Sequence, residues 1–529
     1  MIEDLMNLRW GIPVNAFTVP VFSIAVLWIG WRIWTFTIRP WLRPQDPVVL
    51  PYWIPFLGHS FAFFGNSDEL LERGLDYVGR SNEIFGIQTL KRQLYIITNP
   101  PEVSIAFNDN TALHFDGHLN ELLENFGFSK EGLRLSWHIP KPGDWCYLPG
   151  NEINPELASL NRFTEDMYRK QLLPGEKMDV MSRVFMRSVF DTLQWDKLDF
   201  CTVESTEKGK LLSLRELCRY TLVEGATQTM FGSHLHKIEP RIVEYMLRYN
   251  DNAWMVFFQY PDFFGNSPIT EPRRVITETL EKFIEMPDEE RHEQAWSIKN
   301  ILAWQKVMNI DLRARASVLL MVYWAANSNE YNISFWVLAH LLHNPELLRM
   351  VKEETEAAWI DGVLDIKLLR TNSPNLEAIF NEALRLNGGA MVSRIVREPI
   401  TLGGKQLKPG NAIIIPARQL HKNEKVWGQN SGDFDAFRFK KHKALSRHAS
   451  YRPFGGGKTY CPGRVLAKEE VYGFLATLFH RFDLKMAEGK GPGGGKQVFP
   501  SLDDSSPALG ITGPVKSHDV LISATQRVV

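Results

Sequence analysis

A single cysteine on a loop almost free of side chains constrains this chain more than any other feature. The stretch "RPFGGGKTYCPGR" places three glycines, 455–457, shortly before Cys461 and a proline directly after it. Glycine lets a main chain pass close to another group and adopt the conformations that a tight loop needs. A helical pattern, "RVLAKEEVYGFLATLFHRF", begins at Arg464, so a thiolate at Cys461 would lie near the positive end of a helix. The loop therefore predicts a chemical role for this sulfur.

Several chemistries compete for this loop. A phosphate-binding loop needs a glycine five residues before Gly457, and Arg452 stands there. Four cysteines in 529 residues and the absence of a CxxC pair argue against a disulfide scaffold or a zinc site. A nucleophilic cysteine stays open, but it leaves the bare backbone unexplained. A flat cofactor approached from below explains it, because backbone N–H groups then turn to the sulfur and tune a bound iron.

The N-terminal region predicts a membrane anchor. Trp10 to Trp31 are 22 consecutive uncharged residues, which as a helix would span roughly 33 Å, enough to cross a bilayer core. Arg32, Arg39 and Arg43 follow, and this positive charge places the body of the protein on the cytosolic side. A cleaved signal peptide is the alternative, but the apolar run ends in tryptophan and arginine instead of small residues. We expect a short segment 1–9, an anchor 10–38, a proline-rich linker 39–58 and one domain 59–529.

The domain reads as mainly α with a minor β region. Helical periodicity dominates from about Glu156 to Leu386, and alternating apolar residues predict short strands between Pro399 and Ala417. The longest helical pattern runs from Asp311 to Asn344, where Pro345 ends it and opens the next helix. Its midpoint is polar, "NSNE" at 327–330. Buried polar groups need partners, so this cluster either bridges to a neighbouring helix or lines a ligand cavity.

Four positions of the cysteine loop carry a family resemblance. Phe454, Gly457, Cys461 and Gly463 match the signature FxxGxxxCxG, and the chain here resembles the cytochrome P-450 family. The resemblance implies the fold of that family behind one N-terminal transmembrane helix. It also implies haem b as the cofactor, with Cys461 as the axial ligand of the iron; a thiolate in that position favours O–O cleavage.

An ExxR motif upstream extends the resemblance. Glu382 and Arg385 lie on one helix face by their spacing, and the family uses such a pair to tie its helix to the loop below the haem. The following segments, "SRIVREPITLGGKQLKPGN", "HKNEKVWG" and "FDAFRF", look like the family's sheet, turn and PERF segment. This correspondence assigns Arg394 to a haem propionate and Arg438 to the ExxR network. Other ExxR matches lack these neighbours; they begin at Glu131, Glu216, Glu271 and Glu346.

The distal motif departs from the family pattern. Where the family usually has AGxDT, this chain has "AANSN" at 325–329, so the acid becomes Ser328 and the threonine becomes Asn329. Both can orient water, but neither is a good acid near neutral pH. Thr459 replaces the usual arginine or histidine two residues before the cysteine, and no WxxxR is visible near 156–173. These departures resemble the group that contains sterol 7α- and 12α-hydroxylases and prostacyclin synthase, and the cysteine loop is most similar to fungal members of it.

A run of positive charge surrounds the cysteine loop. Between Ala436 and Lys468 there is no acidic residue, and the basic ones are Arg438, Lys440, Lys441, Lys443, Arg447, Arg452, Lys458, Arg464 and Lys468. A field of this sign attracts an acidic redox partner. A solvated basic face is the alternative, and some of these arginines are expected to bind propionate or to be structural.

These features together predict a monooxygenase. It would oxidise a lipophilic small molecule, terpenoid or steroid-like and from secondary metabolism, with O2 and with electrons from NADPH through NADPH-cytochrome P-450 reductase. Asn329 and Ser328 would organise the water that delivers protons. We expect a monomer held in the endoplasmic reticulum membrane with its domain in the cytosol, and the net charge of −1 gives no reason to expect nucleic-acid binding. A haem-thiolate isomerase or dehydratase that acts on a peroxide without a reductase, or a non-catalytic haem-binding protein, remains an alternative.

Overall fold

Long helices dominate the structure, a computed structural model that describes residues 18–207, 209–261, 267–490 and 495–527. The helices of eight residues or more are Thr18–Ile33, Ser67–Tyr77, Pro100–Asn108, Phe115–Phe126, Leu160–Leu172, Glu176–Thr192, Leu214–Phe231, Ile242–Asn250, Thr270–Glu285, Trp296–Val307, Leu312–Asn327, Glu330–His343, Pro345–Glu356, Pro374–Asn387 and Arg464–Arg481. The shorter α-helices are Arg39–Leu42, Ser60–Gly65, Lys130–Ser136, His234–Ile238, Trp254–Phe257, Ile366–Asn372, Ala417–His421, Glu424–Trp427 and Arg438–Lys441. Three 3₁₀ turns are Trp195–Cys201, Lys443–Arg447 and Gly457–Thr459.

The β structure is minor, which confirms the predicted mainly helical class. A six-stranded sheet has the spatial order Val48–Val49, Phe85–Gln88, Gln93–Ile96, Ala412–Pro416, Met391–Val396 and Leu113–His114. A four-stranded antiparallel sheet has the order Phe482–Met486, Leu521–Gln526, Gly209–Ser213 and Thr202–Thr206. Two hairpins pair Ile400–Leu402 with Lys405–Leu407, and Trp359–Ile360 with Val363–Leu364. The strands expected between Pro399 and Ala417 are therefore present.

The larger sheet positions one predicted site residue. Its central strand Ala412–Pro416 is buried at every position and pairs in parallel with Gln93–Ile96 and antiparallel with Met391–Val396. Because Ile413 lies opposite Arg394 in this register, the backbone of Arg394 is held rigidly at the edge of the site.

The predicted long helix is interrupted, which corrects the sequence expectation. Leu312–Asn327 begins after Asp311, whose carboxylate accepts the N–H of Ala314 at 2.8 Å, as an N-cap does. The helix stops at Ser328 and Asn329, and Glu330–His343 continues beyond this break. We call residues 328–329 the helix break. As expected, Pro345 then opens Pro345–Glu356 at its first turn.

The N-terminal helix meets the requirements of a membrane span. Helical residues run through Thr18–Ile33, a π-helical turn Trp34–Ile38 and Arg39–Leu42. The apolar stretch Val19–Leu42 is 24 residues long, and no residue of its most apolar part is buried. Residues 10–17 of the predicted anchor lie outside the described residues. The helix extends past residue 38, and Pro40 follows directly after the π-helical turn, a place where helices accommodate such an irregularity.

An aromatic collar joins this helix to the linker. The Arg32 guanidinium lies 5.3 Å from the ring of Trp28 and 4.6 Å from the ring of Trp53. Trp28 donates its indole N–H to the carbonyl of Trp53 at 2.9 Å, and Arg32 donates to the carbonyl of Tyr52. Amphipathic aromatic rings are enriched at membrane–water boundaries, and here they tie the apolar helix to the linker.

The helix after the cysteine lies at the centre of the fold. Arg464–Arg481 is almost entirely buried from Glu469 to Phe479. It packs against Glu176–Thr192, Glu330–His343 and Pro345–Glu356. Because so many elements fix this helix, the cysteine at its N-terminal end has a rigid position.

Candidate active site

The cysteine loop folds back on itself around the sulfur. The N–H of Cys461 donates to the carbonyl of Phe454 at 3.0 Å, which closes the loop, and Phe454 packs against the main core. The backbone N–H groups of Gly463 and Arg464 point to the sulfur. The Arg464 guanidinium donates a hydrogen bond to the carbonyl of Cys461 at 2.9 Å, and it lies over the ring of Tyr460. The loop is thus arranged to stabilise negative charge on the sulfur.

Burial and these donors act on the thiol in opposite directions. Burial raises the pKa of the Cys461 thiol, and the two N–H groups together with the Arg464 charge lower it, with burial the larger effect. A bound metal ion deprotonates a thiol outright. The site is therefore suited to a thiolate that is paired with a metal.

The glycines of the loop serve protein contacts as well as the sulfur. Gly457 has φ +60°, and a Cβ there would lie 2.2 Å from the carbonyl oxygen of Phe107, so any side chain would collide with helix Pro100–Asn108. At Gly463 a Cβ would lie 3.9 Å from the Cys461 sulfur. The sequence argument attributed the bare backbone to a cofactor, whereas the structure attributes Gly457 to contact with Phe107.

The predicted ExxR residues form a fully buried ion pair. Arg385 donates to both carboxylate oxygens of Glu382, at 2.9 and 2.8 Å, and neither residue is exposed. Arg385 also donates to the carbonyls of His421, Ser431 and Asp433. A buried bidentate pair with all donors satisfied holds its surroundings in one geometry.

The same network includes Arg438. It donates to Glu382 at 3.1 Å and to the carbonyls of Trp427 and Asn430 at 2.9 and 3.0 Å. The structure therefore brings Glu382, Arg385 and Arg438 together as the resemblance implies, and they bind the backbone of 420–435 from inside.

A histidine that the sequence analysis did not single out links this network to the cysteine loop. His421 is buried, its Nε2 accepts the N–H of Arg452 at 3.0 Å, and its Nδ1 lies 3.0 Å from the carbonyl of Arg385. Because Nε2 accepts, Nδ1 carries the proton and donates. Burial lowers the pKa of His421 to about 3, so the ring stays neutral. The one feature of the sequence that could have pointed to His421 is its position in "QLHKNE", just before a turn.

Two guanidiniums near the cysteine loop, buried at Arg394 and half-buried at Arg452, have no anionic partner in the described part of the chain. Arg394 and Arg452 lie 5.6 and 5.7 Å from the ring of Phe107. Arg394 donates to the hydroxyl of Thr459 and the carbonyl of Ser393, and among the described residues no carboxylate pairs with either arginine. Burial lowers the pKa of Arg394 to about 10. An unpaired buried cation is costly, so Arg394 suits the site to a group that carries negative charge.

The helix break lies on the other side of the site. Ala325 is exposed although Trp324 and Asn327 beside it are buried, so the helix faces a cleft there. The Asn329 side chain accepts the N–H of Ile511 at 2.8 Å and donates to the hydroxyl of Ser328 at 2.8 Å. The polar cluster therefore binds another segment of the chain, as one of the two expectations had it, but that segment is the C-terminal loop 503–514 and not a neighbouring helix.

Ser328 and Asn329 also line a cavity of about 150 Å³. Its charged residues are Arg215, Asp251, Asp503 and Lys516. Ser328 is buried whereas the Lys516 side chain is exposed, so the cavity connects the helix break with the surface. The polar lining and this opening suit the cavity to hold water.

Comparison with known proteins identifies the family. The cytochrome P-450 family model matches residues 199–494, more than half of the chain. A relative from Penicillium decumbens, cytochrome P-450 monooxygenase calL, is 24% identical over 90% of this chain and 94% of its own length. Cholesterol 7-alpha-monooxygenase of Cricetulus griseus is 24% identical over 94% of this chain and 98% of its own length. The chain belongs to the cytochrome P-450 family.

As a P-450 of the monooxygenase class, the protein uses haem with a cysteine thiolate ligand and electrons that originate from NADPH. The residues present fit the haem. Cys461 would hold the iron, and the unpaired Arg394 and Arg452 would each face a propionate. Arg452 thereby offers a replacement for the cation missing at Thr459, a role that sequence reasoning did not assign. When bound, the haem would supply the activation of oxygen. The protein would position the haem, provide positive charge for its propionates and bring in protons.

Proposed function

We propose that this P-450 inserts one oxygen atom of O2 into a lipophilic terpenoid or steroid-like molecule of secondary metabolism. The polar route from the surface to the helix break is the observation that favours monooxygenation over rearrangement of a peroxide. Monooxygenation consumes protons beside the haem, whereas a peroxide rearrangement consumes none. A cavity that links Ser328 and Asn329 with solvent serves the first reaction and is superfluous for the second.

The substrate class rests on relatives and on the membrane anchor. The similar proteins include fungal P-450 monooxygenases and a cholesterol 7-alpha-monooxygenase. A lipophilic substrate partitions into the bilayer in which Val19–Leu42 would lie. The positive charges at Arg32, Arg39 and Arg43 favour a cytosolic domain, and we place the anchor in the endoplasmic reticulum, where NADPH-cytochrome P-450 reductase would be the electron donor.

The simplest test compares electron sources. Purified protein with reductase, NADPH and a terpenoid and steroid library should yield products that carry one oxygen atom from 18O-labelled O2. A haem-thiolate isomerase would instead convert a lipid peroxide with no reductase present. Product formation only under the second condition would overturn the proposal.

Replacing Asn329 by alanine should uncouple electron use from product. The side chain ties Ser328 to the backbone of Ile511, and its loss frees the polar groups that order water at the break. We expect the amount of product per NADPH to fall about tenfold, because the loss of a group that takes part in proton transfer slows a reaction by this much or more. The electrons should then be released as peroxide. Asn300→Ala is the control, because Asn300 also donates its side-chain amide, to the carbonyl of Trp296 at 2.7 Å, and does not line the cavity. Equal coupling in the two variants would contradict the role of Asn329.

Four exposed cations near the cysteine loop offer the reductase surface. Among the side chains of this stretch that the structure describes, Lys440, Lys441, Lys443 and Arg447 are exposed. Arg438 is buried, and Arg452 and Arg464 donate to backbone carbonyls. We expect Lys443→Glu with Arg447→Glu to raise the reductase concentration needed for half-maximal turnover several-fold and to flatten its salt dependence. Lys485→Glu, an exposed lysine on strand Phe482–Met486, should change neither. Unchanged reductase titration in the double variant would exclude this face.

A further inference from the structure

A loop without helices or strands carries three side chains that can bind a metal ion. Residues 137–159 form no regular element, and so long a connection is uncommon in a compact domain unless it has a function of its own. His138, Asp144 and Cys146 each offer one ligand atom, and these three atoms all lie within 4.8 Å of one another. In the described part of the chain, this is the one group of three or more histidine, cysteine and carboxylate side chains that come so close together. The loop is therefore a candidate metal site.

Two of the three side chains are held in place by their neighbours. The Nε2 atom of His138 lies 2.9 Å from Oδ2 of Asp144, and the same oxygen accepts the N–H of Lys141 at 2.8 Å. The indole of Trp145 stacks on the His138 ring, with 5.1 Å between the ring centroids. Neighbours that orient ligand side chains in this way strengthen metal binding. A cation would therefore find a nitrogen and an oxygen ligand already facing each other.

The third ligand atom lies on the inner side of this pair. Cys146 is fully buried and belongs to the same hydrophobic cluster as Leu135 and Leu160, whereas the His138 and Asp144 side chains are 26% and 28% exposed. Solvent can therefore reach the group from one side, and the sulfur closes it on the other. A bound divalent cation deprotonates a thiol, and the thiolate and the carboxylate together would then neutralise its two positive charges.

The mixed set of ligands selects the metal. Nitrogen, oxygen and sulfur together suit zinc, whereas magnesium and calcium prefer oxygen alone. Zinc holds nitrogen and oxygen at about 2.0–2.2 Å and sulfur at about 2.3 Å, so in a tetrahedron these atoms are about 3.3–3.7 Å apart. The 2.9 Å between His138 and Asp144 and the limit of 4.8 Å for the group differ from these values by no more than about 1 Å. Small side-chain rotations would therefore complete the coordination, with water in the fourth position.

We propose that His138, Asp144 and Cys146 bind a zinc ion that fastens the loop 137–159 to the core. When the ion binds, the Cys146 thiol releases its proton to solvent. The proton that His138 shares with Asp144 moves to Nδ1, so that Nε2 is free to bind the metal. The absence of a CxxC pair argues against a cysteine-rich zinc site, but this site needs only one cysteine. The site lies in a different loop from Cys461, and the inference does not depend on the proposed monooxygenation.

Zinc binding to the haem-loaded protein tests the proposal. After treatment with a chelator, equilibrium dialysis against zinc should load the parent with one zinc per haem, measured as the zinc and iron contents. Loss of a residue that only orients a ligand weakens metal binding about 10–100-fold. We therefore expect Asp144→Asn and Cys146→Ala, which each remove a ligand, to weaken zinc binding by at least about 100-fold. Equal affinity in the parent and in both variants would mean adventitious binding elsewhere and would overturn the proposal, as would a parent that retains no zinc.

A second histidine–carboxylate pair in the chain provides the matched control. The Nε2 atom of His236 lies 2.9 Å from Oε2 of Glu224, the same distance as in the loop, but among the described residues no third ligand completes this pair. Glu224→Gln should therefore bind zinc as tightly as the parent does. A similar loss of affinity in Glu224→Gln and in Asp144→Asn would mean that any such pair binds the ion, and it would contradict the role of Cys146.

X-ray absorption at the zinc edge identifies the ligands without interference from the haem iron. The parent should show one sulfur at about 2.3 Å from zinc, and Cys146→Ala should show none. Zinc should also raise the melting temperature of the parent and leave that of Asp144→Asn unchanged, because an ion stabilises only a folded state that binds it. If Cys146→Ala does not accumulate, the sulfur signal of the parent and the dialysis of Asp144→Asn decide the question. A zinc shell of nitrogen and oxygen alone in the parent would exclude the site.

Discussion

Replacing Cys461 by alanine is expected to abolish the carbon monoxide difference band of a haem-thiolate protein together with all turnover. The Cys461 sulfur is the expected iron ligand, and a thiolate ligand is what favours O–O cleavage. Gly463 and Arg464 cannot replace the sulfur, because they offer it backbone N–H groups and positive charge and no lone pair for a metal. The reduced carbon monoxide difference spectrum measures the ligand, and product analysis measures turnover.

Cys201→Ala is the matched control for that experiment. Cys201 is also a free, buried cysteine, but it lies in the main hydrophobic core and its sulfur is near the carbonyl of Leu198. This variant should keep the band and the activity. A band that survives in Cys461→Ala and is lost in Cys201→Ala would move the ligand to another sulfur and contradict the assignment.

Replacing Arg385 by leucine is expected to prevent accumulation of folded holoprotein. The change leaves Glu382 charged and buried, which costs about 3–5 kcal/mol when one partner of a buried pair is removed. It also removes a donor from the carbonyls of His421, Ser431 and Asp433, at about 1–3 kcal/mol for each buried group left unsatisfied. Together these costs reach the net stability of a typical domain, about 5–15 kcal/mol. Soluble haem content and thermal unfolding measure the effect.

The chain contains its own control for this second experiment. Glu346 and Arg349 have the same ExxR spacing and form an ion pair at 2.7 Å, but both side chains are exposed. Water replaces the lost partner there, so Arg349→Leu should leave the melting temperature unchanged. Similar melting temperatures in the two leucine variants would mean that burial does not make the Glu382 pair essential.

The parts of the site that could be predicted from the sequence consist of residues that lie close together along the chain. Cys461 and Gly463 are two residues apart, and Glu382 and Arg385 lie one helical turn apart. Such patterns are local, because a loop or a single turn of helix already sets the geometry. The helix that begins at Arg464, the strands after Pro399 and the helix opened by Pro345 follow from equally local rules.

Long-range contacts decided the rest. The predicted single helix breaks at Ser328 because Asn329 binds Ile511, which lies 182 residues later. Phe107 decided two further features of the site. Its carbonyl leaves no room for a side chain at Gly457, and its ring lies beside both Arg394 and Arg452. No periodicity in the sequence reports contacts of this kind.

Consecutive residues were enough to predict a helical haem-thiolate enzyme behind an apolar N-terminal helix, because the ligand, its loop and the apolar helix are each local features of the chain. Which polar groups stay without partners depends on packing between distant segments. Arg394 and Arg452 are ordinary charged residues in the sequence, but in the fold neither guanidinium has a carboxylate partner among the described residues. They become exceptional because distant elements remove water from them, and burial is a property of the packed chain.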